Sequence, residues 1–127
     1  MSKPTLVIAD DEMDIALLVQ SRAALQGFEA RIVADGKELM RVLSDSEPDV
    51  IVLDIVMPNM DGIEVLNGLV ARDCQAIIIL ISGYDGRYIR IANDFGLGRG
   101  LNILGALTKP FRLKELDALL TKAYPEK

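Results

Sequence analysis

Short apolar runs alternate along this chain with stretches in which apolar residues recur every three or four positions. Thr5–Ala9 (TLVIA), Val50–Leu53 (VIVL) and Ala76–Ile81 (AIIILI) are continuous apolar runs of strand length, as strands covered on both faces should be. Phe28–Ala34 carries the charged Arg31 within it and reads as a strand at a sheet edge, and Ile103–Leu107 is a fifth run, broken by Gly105. Between these lie the helical patterns. Asp14–Gln26 carries Ile15, Leu18, Val19 and Leu25 near helical spacing, with Gly27 to end it. Lys37–Ser44 presents Leu39, Val42 and Leu43 on one face, with Asp35 or Gly36 as its cap. Gly62–Asp73 turns Ile63, Leu66, Leu69 and Val70 inward, with Asp61 placed to cap it and Glu64 three residues on for a capping box. Leu113–Ala123 sets Leu113, Leu116 and Leu120 on one face and stops before Pro125. The stretch from Ser82 to Lys109 is the least regular: a helix is expected over Tyr84–Phe95, with Gly96, Gly98 and Gly100 interrupting it.

Strand and helix thus alternate five times, the signature of an α/β protein in which helices cover both faces of a doubly wound, five-stranded parallel sheet. A strand order of 2-1-3-4-5 leaves the charged second strand at an edge. With 127 residues and no internal repeat, the chain is expected to form a single domain over 1–127.

Composition narrows the chemistry. Half of the residues are hydrophobic but Trp is absent and aromatics make up 5 %, so the core is built from Ile, Leu, Val and Ala. The net charge of −5 comes without any basic run, which speaks against direct contact with nucleic acid. Cys74 is the one cysteine, so no intrachain disulfide can form; that fits a reducing, cytoplasmic setting. The opening MSKPTLVIAD is neither a signal peptide nor a membrane span. There is no histidine, which excludes a Ser-His-Asp triad and His-ligated zinc and leaves carboxylates, Lys and hydroxyls to do any chemistry.

Those groups stand at strand ends. Asp10 and Asp11 follow the first strand and Asp54 the third. In a doubly wound sheet these ends are neighbours where strand order reverses, which is where ligands bind. Taken singly each acid is equally well a solvated cap, but together they form an acidic pocket that needs a counter-ion, and an all-oxygen site suits Mg²⁺. Ser82 ends the fourth strand and Lys109 the fifth, just before Pro110. The hydroxyl can donate to a phosphoryl oxygen, the ammonium can neutralise one, and an Asp carboxylate can itself be the nucleophile. A cis bond at Lys109-Pro110 would turn the Lys side chain into the pocket.

These residues carry a resemblance. Over nearly its whole length the chain resembles the receiver domain of two-component response regulators: Asp10-Asp11 matches the acidic pair, Asp54 in VIVLDIVMPNMDG the phosphoacceptor and the Met-Pro and Asp-Gly that follow it, Ser82 the hydroxyl position, and Lys109-Pro110-Phe111 the terminal Lys-Pro-Phe. The resemblance implies a flavodoxin-like fold and a phosphoprotein switch, with Asp54 phosphorylated in the presence of Mg²⁺. It implies that Asp11, Asp54 and the backbone carbonyl of Val56 bind the metal directly and Asp10 through water, and that a sensor histidine kinase or phosphotransfer protein donates the phosphoryl group. Self-association as a homodimer is compatible with it. There are departures. Ala106 stands where the family has an aromatic residue that turns inward on activation, and the Ser82–Lys109 interval is longer than the common pattern. The ending GRGLNILGALTKPF is similar to that of receivers attached to cyclic-di-GMP phosphodiesterase domains. Two other functions compete: a docking module that no longer responds to phosphorylation, and a phosphohydrolase using Asp54 as nucleophile. Against the latter, Val56 occupies the position where such enzymes carry a second acid.

Overall fold

The computed structural model describes residues 3–57, 60–83 and 87–125. The elements follow one another as β1 (Thr5–Ala9), α1 (Met13–Leu25), β2 (Glu29–Val33), α2 (Gly36–Asp45), β3 (Val50–Asp54), α3 (Gly62–Ala71), β4 (Ile77–Ser82), α4 (Arg87–Gly98), β5 (Asn102–Thr108) and α5 (Leu113–Ala123). A two-residue antiparallel pair, Val56–Met57 with Met60–Asp61, lies between β3 and α3. The five strands form one sheet in the order β2-β1-β3-β4-β5, every pairing parallel.

Successive strand residues point to opposite faces, and the central strands are apolar on both, so the sheet divides two cores. Val7, Ala9, Ile51, Leu53, Ile78 and Leu80 face α2, α3 and α4, where Leu39, Leu43, Leu66 and Leu69 cover them. Leu6, Ile8, Val50, Val52, Ile79 and Ile81 face α1 and α5, under Ala16, Val19, Leu116 and Leu120. Burying each Val, Leu or Ile among them contributes roughly 1.5–3 kcal/mol relative to exposure, and this apolar burial is what holds the sandwich together. β2, with Arg31 exposed, is indeed an edge strand. Asp35 caps α2, its side chain accepting from the Glu38 N–H at 2.8 Å.

Three helices end in the same way. In α1, α3 and α4 a residue in the left-handed region closes the helix: Gly27 (φ +100°), Asp73 (φ +53°) and Gly100 (φ +87°). Each time the next N–H reaches back five residues, Phe28 to Ala23 O, Cys74 to Leu69 O and Leu101 to Gly96 O. The closure satisfies orphan carbonyls and delivers a buried side chain, Phe28, Cys74 or Leu101, onto the core.

Several local expectations are corrected. α4 does not stop at Phe95; it runs to Gly98 through Gly96, because there a Cβ would collide with Ile103 Cδ1 and the missing side chain lets helix and strand approach. β5 is irregular one residue before Gly105: Ile78 pairs with Ile103 but Ile79 with Gly105, so Leu104 is a bulge residue on this outer strand. Leu25 is 76 % exposed, since the buried stripe of α1 is Ala16, Val19 and Ala23 and Leu25 lies about 200° around the helix from Ala23. Leu113 is exposed at the first position of α5, ahead of the buried Leu116, Leu120 and Ala123. The expected Asp61 cap and the helix start at Tyr84 lie outside the described side chains and residues.

Candidate functional site

The carboxyl edge of the sheet gathers every buried charged side chain found among the described residues: Asp10, Asp54 and Lys109, together with the buried polar Ser82. Backbone pairing puts them there. Asp10 N–H donates to Val33 O (3.1 Å) one step beyond β1, Ile55 N–H donates to Ile81 O (2.9 Å) just after Asp54, and Lys109 N–H donates to Ser82 O (2.9 Å) one step beyond β5. Each functional side chain is thus carried by the last ladder bond of a strand, a rigid support. The Lys109-Pro110 bond is cis. Gly62 closes the loop after Asp54: its N–H donates to Ile55 O at 2.9 Å, and a Cβ would lie 2.6 Å from that oxygen.

Lys109 is the hub. Its Nζ donates to Asp54 Oδ2 at 2.9 Å and to a carboxylate oxygen of Glu12, and it lies 3.4 Å from Asp10 Oδ2. The other carboxylate oxygens are held by backbone: Glu12 N–H donates to Asp10 Oδ1 and Val56 N–H to Asp54 Oδ1, both at 2.9 Å. Ser82 Oγ donates to Gly83 O at 3.2 Å.

Electrostatics leave one group unsatisfied. Asp10 is fully buried, and its Oδ2 has no hydrogen-bond partner. Burial above all, with repulsion from Asp54, pushes its carboxyl up to about 7, against the opposing pull of the Glu12 N–H and Lys109. Burial also works against the Lys109 ammonium, but Glu12, Asp54 and Asp10 together outweigh it and raise its pKa above the ordinary value. One oxygen each of Asp10, Glu12 and Asp54 lie within 4.8 Å of one another. An all-oxygen cluster with an orphaned buried oxygen fits a hard divalent cation, which would supply the missing partner and offset the repulsion.

Of the residues expected from sequence, Asp10, Asp54 and Lys109 are brought into contact, and Ser82 is joined to them through its bond to the Lys109 backbone. Val56 touches the cluster through its N–H, while its side chain is 57 % exposed. Asp11 is exposed and is not among the converging carboxylates. Glu12 takes a place in the cluster that sequence reasoning missed. Sequence spacing gave no signal for it: the chain bends at Asp11 after β1, and the Glu12 N–H folds back onto Asp10 Oδ1, which sets Glu12 beside Asp10. Ala106 is exposed on the outer strand, opposite Leu80.

Residues 6–121 match the family model of the response regulator receiver domain. The chain belongs to the response regulator receiver domain family. The receiver domain is 36 % identical over 118 residues to the transcriptional regulatory protein PrrA of Mycobacterium leprae, covering 93 % of this chain and 48 % of that protein. It is 32 % identical to the alkaline phosphatase synthesis transcriptional regulatory protein PhoP of Bacillus subtilis, with 93 % and 47 % covered. It therefore spans about half the length of these curated relatives. Among solved structures it is similar to the receiver domain of the Francisella response regulator 1452 (TM-score 0.79, 30 % identity, 95 % and 96 % of the two chains). A response regulator from Colwellia psychrerythraea is alike to the same degree (TM-score 0.80, 31 %, 95 % and 96 %). The 2-1-3-4-5 sheet and five helices are the flavodoxin-like receiver fold. No helix among the described residues is long and apolar enough to cross a membrane.

Proposed function

We propose that this receiver domain is a cytoplasmic phosphorylation switch that accepts a phosphoryl group on Asp54. The observation that carries the reading is the Lys109 ammonium 2.9 Å from Asp54 Oδ2, inside a buried acidic cluster with an orphaned oxygen. One Asp54 oxygen attacks phosphorus as the bond from phosphorus to the donor breaks, its electron pair leaving with the donor. The donor is the phosphohistidine of a sensor histidine kinase or phosphotransfer protein. Val56 N–H and Lys109 hold the two Asp54 oxygens in place before attack, and Lys109 neutralises charge on the transferring group. Asp11, Asp54 and the Val56 carbonyl would hold Mg²⁺ directly and Asp10 through water, and the ion would supply positive charge to phosphoryl oxygens. Ser82, whose carbonyl already holds the Lys109 N–H, is placed to couple the pocket to β4, β5 and the surface they support.

We read 1–127 as one such domain, and the reaction as self-phosphorylation and hydrolysis of its own phosphoryl group rather than turnover of an outside substrate. Ala106, small and exposed at the family's aromatic position, favours a second reading, a docking module with a muted response. The outputs in view are a transcriptional regulator, as the curated relatives are named, or a cyclic-di-GMP phosphodiesterase domain.

Intact mass after incubation with acetyl phosphate tests the proposal. One Mg²⁺-dependent phosphoryl addition in the wild type, absent in Asp54→Asn, is expected. A folded wild type that takes none from acetyl phosphate or from a phosphohistidine donor leaves the docking module.

A further inference from the structure

Glu12 belongs to the acidic cluster but has no part in the phosphoryl transfer proposed above. An ammonium has three N–H bonds; Lys109 donates to Glu12 and to Asp54 at 2.9 Å, and Asp10 Oδ2 lies 3.4 Å away as an ion-pair partner without a hydrogen bond. Two of these acids are fixed. Asp10 and Asp54 are buried, and each has its other oxygen held by a backbone N–H. The Glu12 side chain is 53 % exposed. Its backbone is pinned independently, its N–H on Asp10 Oδ1 and its carbonyl accepting from Ala16 N–H, so the carboxylate can turn outward without disturbing the start of α1.

We propose that Glu12 is a displaceable counter-ion of Lys109. It occupies an N–H of the ammonium until a phosphoryl group arrives, then yields that N–H to a phosphoryl oxygen and swings into solvent. The inference rests on Asp54 being the acceptor. Glu12 acts through Lys109 and is a positioning residue. Because its side chain is half in water, its pairing is worth little and can be broken. While paired, it competes with the incoming anion for the ammonium and repels it as a like charge.

The test compares wild type, Glu12→Gln and Glu12→Asp for the rate of phosphoryl uptake from acetyl phosphate in Mg²⁺, by intact mass. The Lys109 side-chain ammonium is followed by NMR. Glu12→Gln is expected to raise the rate constant about fivefold, the size of a partly exposed ion pair, and to move the Lys109 ammonium signal. Glu12→Asp keeps the charge with a shorter reach, and its rate should fall between the two. A Glu12→Gln rate at or below wild type, with unchanged thermal unfolding, overturns the proposal, as does an unmoved ammonium signal. Should Glu12→Gln not fold, Glu12→Asp decides alone, a rate no higher than wild type being fatal. If wild type itself takes no phosphoryl group, it is the acceptor reading that fails. The ammonium signal in the variants then judges the Glu12–Lys109 pair.

Discussion

Replacing Asp10 by Asn probes the electrostatics of the pocket directly. The unfolded carboxyl titrates near 3.8, whereas burial and Asp54 push the native one up to about 7. Between those values the native state holds a proton that the unfolded state has released, so stability falls as pH rises and the whole contribution is lost above about pH 7. A shift of about three units at about 1.4 kcal/mol per unit sets a ceiling of about 4 kcal/mol. Asn keeps the acceptor for Glu12 N–H, and its amide places a donor near Asp54, one carboxylate oxygen of each acid lying within 4.8 Å of the other. Urea unfolding in EDTA should therefore find Asp10→Asn more stable than wild type near pH 8, by on the order of 3 kcal/mol. The two proteins should converge near pH 4. Mg²⁺ should stabilise wild type more than the variant, narrowing the gap at pH 8. Stability–pH curves for the two proteins that run parallel from pH 4 to 8 without divalent cation would refute the reasoning, because the titration of a destabilised Asp10 is the one term that the substitution removes.

Other expectations follow from the backbone. Asp73→Gly should stabilise the domain by about 0.5–1 kcal/mol, because a side chain at φ +53° carries a cost that glycine does not; a lower urea midpoint would contradict this. Gly62→Ala should destabilise by about 2 kcal/mol, in the range of overpacking, since its Cβ meets Ile55 backbone and side-chain atoms at 2.6–2.7 Å. Calorimetry showing an unchanged melting temperature would mean that the loop beside Asp54 yields freely.

What could be read in the sequence divides along physical lines. β1, β3 and β4 announced themselves because strands buried on both faces must be continuously apolar, and Asp10, Asp54, Ser82 and Lys109 were legible as the polar residues that end such runs. Arg31 marked β2 as an edge. Hidden were features decided by contacts between distant parts. Gly96 looks like a helix breaker until Ile103 is packed against it. The bulge at Leu104 depends on pairing with β4. Leu25 and Leu113 fit a helical spacing, yet one lies off the covered stripe and the other at the helix start. Glu12 resembles any surface acid; only the turn after β1, with its N–H on Asp10 Oδ1, brings it to Lys109, ninety-seven positions away.

The most direct test of the central claim is to locate the phosphoryl group. Borohydride reduces an aspartyl phosphate to homoserine, so reduction after incubation with acetyl phosphate and Mg²⁺, followed by peptide mass mapping, reads out the acceptor. Homoserine at position 54 and at no other acid is the predicted result. Reduction at Asp10, Asp11 or Glu12, or phosphoryl uptake that persists in Asp54→Asn, would contradict the account.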